Sequence, residues 1–136
     1  MPGTMKRAWF GFGAACLFGA AVACNPFAPD QSVVLGVEKM DAPATSPVGS
    51  PLTVVLTVLV NGCQSFDHLE ATSVASGASL TAWGVDHTIG NKGVVCPEIM
   101  KSEAHSYQFN PSARGAFQIT VDRGSASPLT ATVQVQ

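Results

Sequence analysis

Three histidines and their acidic neighbours are the side chains of this 136-residue chain that could bind a metal ion. Neutral imidazoles together with a carboxylate suit zinc or copper. No His-x-His or His-x-x-x-His pair occurs to place two imidazoles on one face of a strand or helix. We therefore expect no bound metal and no other cofactor. The alternative is a periplasmic metal carrier that uses His68, His87 and His105.

Signatures of nucleophilic catalysis are also weak. The segment ASGAS at residues 75–79 lacks the first glycine of a Gly-x-Ser-x-Gly nucleophile elbow. Cys63 and Cys96 lie too far apart in sequence for a Cys-x-x-Cys redox site. Acidic residues such as Glu98 and Glu103 lie in segments where carboxylates are normally solvated. The sequence therefore predicts a protein that is not an enzyme.

The N-terminal segment has the order of an export signal. Lys6 and Arg7 precede a charge-free run rich in Ala, Gly, Phe, Leu and Val. This run has 16 residues (8 to 23). As a helix it is too short to cross about 30 Å of hydrocarbon comfortably. A basic start, an apolar stretch and small residues at the end are typical of a signal peptide helix over residues 1–23.

The junction Ala21-Val22-Ala23-Cys24 resembles the lipobox of bacterial lipoproteins, in which small residues precede a cysteine. The resemblance covers the first 24 residues and departs from the pattern at Ala21, where leucine is usual. It implies that Cys24 receives a diacylglycerol and that the chain is cut before it. A rival acceptor, Cys16, would leave a shorter apolar run. The other alternative is an ordinary secretory signal cut near Ala23.

The lipoprotein resemblance implies a signal peptide (1–23), a lipidated tether (24–31) and a folded domain (32–136). Each buried methylene of an acyl chain contributes about 0.8 kcal/mol, so two or more chains anchor a protein stably to a membrane. In such families an Asp after the cysteine often signals inner-membrane retention, whereas Asn25 stands here. We therefore expect a cell-envelope location, anchored to the outer membrane or the cell surface.

The remaining cysteines and the charge balance fit an exported domain. If Cys16 leaves with the signal and Cys24 carries lipid, Cys63 and Cys96 most simply form one disulfide. From Cys24 onward the chain has five basic and nine acidic residues, a net charge of −4 (5 minus 9). A chain with this charge balance offers neither the basic surface that binds nucleic acid nor a polybasic patch that binds anionic lipid.

The most apolar run after the N-terminus is LTVVLTVLVNGC at residues 52–63. One face of this run is entirely apolar and the other is half apolar, which predicts a central strand covered on both sides. Asn61-Gly62 favours a positive φ angle and a sharp turn after the strand. Further alternating segments, weaker or stronger, occur at residues 32–39, 66–74, 80–84, 105–109, 117–121 and 129–135.

About seven short strands and no helical stripe after residue 31 predict an all-β sandwich. The segments NGCQSFDHLEAT, VVCPE and SYQFNPSARGAFQITVD with the final strand resemble immunoglobulin-like domains of small bacterial lipoproteins. The resemblance covers most of residues 50–136 and implies an antiparallel, immunoglobulin-like β-sandwich. Trp83 echoes the tryptophan between the cysteines of antibody domains, but Val94 stands where a tyrosine is expected. Members of such families are mostly of unknown function, so no activity follows.

The connection at residues 86–102 is the candidate binding segment. A connection this long is usually functional or held by a covalent link. Its apolar side chains either form a disulfide-pinned recognition surface or cover one open end of the sandwich. We expect a membrane-anchored, non-enzymatic envelope protein with a structural role or an envelope protein partner. An inhibitor of a secreted hydrolase acting through this segment is a further alternative. The apolar residues are Ile89, Val94, Val95, Ile99 and Met100.

Overall fold

A computed structural model of the protein describes residues 31–90 and 93–136. The expected signal peptide, the expected lipid acceptor Cys24 and most of the expected tether lie outside these residues. Nine strands and no helix occur in the part that is described, and none of it could cross a membrane as a helix. The strands are β1 (Gln31–Val34), β2 (Gly36–Asp41), β3 (Thr45–Ser46), β4 (Leu52–Asn61), β5 (Gln64–Val74), β6 (Gly77–Asp86), β7 (Met100–Phe109), β8 (Gly115–Arg123) and β9 (Ala126–Val135).

The strands form two sheets, which confirms the predicted β-sandwich. One sheet has the order β2-β4-β7, and the other has six strands in the order β1-β6-β8-β9-β3 with β5 also on β6. β5 pairs with one edge of β6 along its whole length. On the other edge of β6, β8 pairs with the first half of the strand and β1 pairs with its last residues. Most pairs are antiparallel, as expected. The parallel pairs β3–β9 and β6–β8 were not predicted by the alternating pattern.

The inward face of β4 lies at the centre of the core. Its five apolar side chains are at most 3% exposed, and the opposite face is half-buried. This confirms the prediction of a central strand, since β4 lies between β2 and β7 with one face buried and the other partly covered. The facing sheet contributes Leu80 and Ala82 from β6, Phe117, Ile119 and Val121 from β8, and Val133 and Val135 from β9.

The segment predicted as one strand at residues 32–39 is divided between the two sheets. β1 pairs with β6, whereas β2 pairs with β4 in the other sheet. The chain crosses at Leu35, which is buried and whose backbone N–H donates to the carbonyl of Ala82 at 2.8 Å. Burial of a large apolar side chain therefore holds the crossing in place. The proline-rich connection after β2 also contains the short β3, so the strand number is nine, more than the seven expected.

Gly84 of β6 lies where β1 and β5 flank the strand, opposite Val33 and Phe66. A Cβ atom here would lie 2.6 Å from both terminal carbons of Leu35 and 2.6 Å from the carbonyl oxygen of Ser65. No real Cβ tolerates such distances, so the close packing of the crossing on β6 requires glycine.

We expect Gly84→Ala to lower the free energy of unfolding by about 1 to 3 kcal/mol, because it overpacks this junction. The matched control is Gly36→Ala, whose Cβ would meet only Leu59 at an ordinary 3.9 Å. Urea denaturation followed by fluorescence measures both. Equal stability of the two variants would contradict the packing described here.

Candidate functional site

A disulfide joins the β4–β5 turn to the segment before β7. Cys63 and Cys96 are bonded, with their Cα atoms 5.2 Å apart, which confirms the predicted pairing. Cys63 is buried, and its carbonyl accepts a hydrogen bond from the backbone N–H of His87 at 3.0 Å. The β4–β5 turn is thus attached to the β6–β7 connection at two points: the hydrogen bond from His87 at the start of the connection and the disulfide to Cys96 further along it. We call residues 61–64, 86–90 and 93–100 the stapled end.

Gly62 has a different role from the one predicted. The turn does follow β4, but glycines with positive φ lie elsewhere in the described chain, and Gly62 is not among them. A Cβ on Gly62 would overlap the carbonyl oxygen of Pro97. The glycine is required because the stapled segment packs directly against the turn. That approach depends on a residue 35 positions away (97 minus 62), so the local sequence could not reveal it.

Hydrogen bonds to Asp86 order the start of the connection. Its carboxylate accepts from the hydroxyl of Thr88 and, at 2.8 Å, from the backbone N–H of Thr88. The Gln64 amide donates to it at 3.5 Å. The Thr88 hydroxyl, then the Thr88 N–H, lower the pKa of Asp86, against a smaller opposing effect of burial. A negative charge is therefore held at the last residue of β6.

The apolar side chains of the stapled end face solvent. Val95 is 88% exposed and Met100 65%, and the exposures of Ile89, Val94 and Ile99 are 36%, 47% and 53%. Across residues 31–90 and 93–136, the one other large apolar side chain this exposed is Val74, at the β5–β6 turn. These residues therefore do not close the end of the sandwich. Met100 belongs to β7, where it pairs with Asn61, so the connection ends at Ile99, earlier than predicted.

The histidines lie in three different settings. His68 contacts Asp67 at 2.8 Å on an exposed edge, and the His87 ring lies 3.4 Å from the Ser65 hydroxyl. His105 contacts Glu103 at 3.1 Å and stacks on Phe66 with ring centroids 3.5 Å apart.

This arrangement offers no assembled metal centre. No three His, Cys, Asp or Glu side chains converge within the described ranges. Every buried side-chain nitrogen or oxygen there has a hydrogen-bond partner. The structure thus brings each histidine to a polar or aromatic neighbour, without gathering the three.

A groove of about 430 Å³ opens beside the disulfide, between the β4–β5 turn and β7. No motif in the sequence predicts this groove as a whole. The alternation of His105, Tyr107 and Phe109 is the sequence signal for part of it, since these residues share one face of β7. In the structure His105 stacks on Phe66 of the other sheet. The groove is lined by Val60, Asn61, Gly62, Gln64, Ser65, Phe66, Lys101, Glu103 and His105.

Comparisons with protein families, curated proteins and solved structures find no match to this chain.

Removing the Thr88 hydroxyl should raise the pKa of Asp86 toward its ordinary value of about 3.9, since the main stabilising donor is lost. A lowered folded-state pKa favours the folded state above about pH 3.9, and this contribution disappears as the pH falls through the folded-state value. Carboxyl NMR titration of Thr88→Val measures the shift. Thr130→Val, on the exposed β9 face, is the control. Unchanged titration in Thr88→Val would contradict the proposed cause.

Loss of the disulfide should lower the free energy of unfolding by about 3.5 to 4 kcal/mol, because it closes a loop of 33 residues. The Cys63→Ala/Cys96→Ala double variant tests this by urea denaturation. Wild-type protein unfolded with and without reductant should show the same difference. A double variant within about 0.5 kcal/mol of wild type would show that the link adds little.

Proposed function

We propose that this protein is a membrane-anchored, non-enzymatic lipoprotein of the cell envelope that acts through contacts made by its stapled end. The observation that carries the proposal is the exposure of five apolar side chains on a segment held by a disulfide. Several large apolar side chains exposed within one short segment are uncommon on soluble proteins and mark interaction sites. A surface ordered before binding loses less conformational entropy on contact than a free loop.

The disulfide supports export, and the N-terminal residues support lipidation. Disulfides persist in oxidising compartments and are rare in the cytosol. The lipobox-like junction before Cys24 supplies the acceptor for acyl chains. The anchor would bring the domain to the envelope, and the apolar surface would act there in a structural or binding role.

The two alternatives differ in their support. An inhibitor of a secreted hydrolase would use the same exposed segment, and a protease or glycosidase that binds this segment would have to be found to support that role. A metal carrier needs converging ligands, and His68, His87 and His105 do not form such a group. Neither has an observation of its own in its favour.

Metabolic labelling with an alkyne analogue of palmitate tests the anchor. Wild-type protein expressed in a bacterial host should incorporate the label, and Cys24→Ala should lose it because the acceptor sulfur is gone. Cys16→Ser is the matched control and should label like wild type. Equal labelling of Cys24→Ala and wild type would contradict the assignment of the acceptor, and no labelling of wild type would contradict lipidation itself.

A further inference from the structure

The described chain begins at the same end of the sandwich that carries the exposed apolar residues. Gln31, the first residue of β1, pairs with Asp86, the last residue of β6. Gln64, directly after Cys63, pairs with Asp86 from the other side. Chain entry, disulfide and apolar segment therefore share one end of the domain.

We propose that the stapled end lies against the lipid surface in which Cys24 is anchored, with its apolar side chains in contact with the bilayer. This inference rests on the proposed lipidation. Seven residues, 25–31, lead from Cys24 into β1. Fully extended, they reach about 23 Å. The tether thus holds this end, and not the opposite one, close to the membrane.

The opposite end lies a full strand away. β6 has ten residues, which corresponds to about 33 Å at 3.3 Å per residue. Its far end carries Val74 and the β5–β6 turn, with one exposed large apolar side chain against five at the near end. The apolar surface is therefore concentrated where the tether would bring lipid.

Lipid fits the space at the stapled end better than a globular partner. A 100-residue domain has a radius of gyration of about 13 Å. Its diameter therefore exceeds the roughly 23 Å that the extended tether spans. The stapled end also needs only a weak intrinsic affinity for lipid, since the tether keeps it at a high effective concentration beside the membrane.

The charges at the stapled end indicate whether its contact with the bilayer is electrostatic or apolar. Across residues 86–101 the sequence has two acidic residues, Asp86 and Glu98, and two lysines, Lys92 and Lys101, so this end carries no excess of positive charge. Attraction to anionic lipid needs clustered Lys or Arg. Contact should therefore depend on apolar burial, and neither high salt nor anionic lipid should alter it.

Fluorescence quenching by brominated acyl chains tests this directly. Full-length lipidated protein is reconstituted into phosphatidylcholine vesicles with or without brominated lipid. Val95→Trp places the probe at the stapled end, and Val74→Trp, also an exposed valine, is the matched control at the far end. Ile99→Trp serves as a second probe. Wild type gives the background of Trp83.

We expect a roughly twofold loss of the added fluorescence for Val95→Trp and Ile99→Trp, since interfacial segments bury their apolar face about 5 to 10 Å deep. Val74→Trp should lose no more than wild type. Equal quenching of Val95→Trp and Val74→Trp on protein that floats with the vesicles would overturn the inference and leave the anchor intact. Protein that neither floats nor carries acyl chains by intact mass would overturn the anchor and the inference together. Shielding of Val95→Trp in native envelopes, without quenching in pure vesicles, would assign the surface to a protein partner and overturn the lipid contact.

Discussion

Burial of the inward face of β4 is the interaction on which the structure depends. Its five apolar side chains are almost fully enclosed, and each such burial contributes about 1.5 to 3 kcal/mol. A shift of one residue would turn all of them outward, so the register of β4 is strongly specified. β4 pairs with β7 from Leu52–Phe109 to Asn61–Met100. The core thereby fixes where β7 begins and where the β4–β5 turn meets the segment that precedes it.

The stapled end is ordered by contacts that do not bury its apolar side chains. The disulfide, the packing of Pro97 on Gly62 and the hydrogen bonds of Thr88 to Asp86 hold the backbone. Val95 and its apolar neighbours remain in solvent. An apolar surface that is covalently held and yet uncovered contributes nothing to the core. It is consistent with a role in contacts outside the domain, beside the point where the chain enters from its proposed anchor.

The sequence predicted those features that arise from local alternation or from residue type. The inward faces of β4, β8 and β9 follow the two-residue period, and the disulfide follows from counting the cysteines of a chain that is predicted to be exported. The features it missed depend on distant parts of the chain. The strand predicted at residues 32–39 is divided at Leu35, because this side chain packs under Gly84. Position 62 requires glycine because Pro97 packs directly against the turn. The shared position of Gln31 and the apolar segment arises from strand order, which no local pattern specifies.

We propose that an acylated sulfur at Cys24 holds a disulfide-closed β-sandwich outside the cytoplasm. Intact mass spectrometry of the protein extracted from its own membranes, without reductant, tests both halves at once. We expect a chain that begins at Cys24, carries a diacylglyceryl group, and is lighter by two hydrogens than its reduced form. An unacylated chain with free thiols at Cys63 and Cys96 would contradict both the compartment and the covalent link that shapes the proposed contact surface.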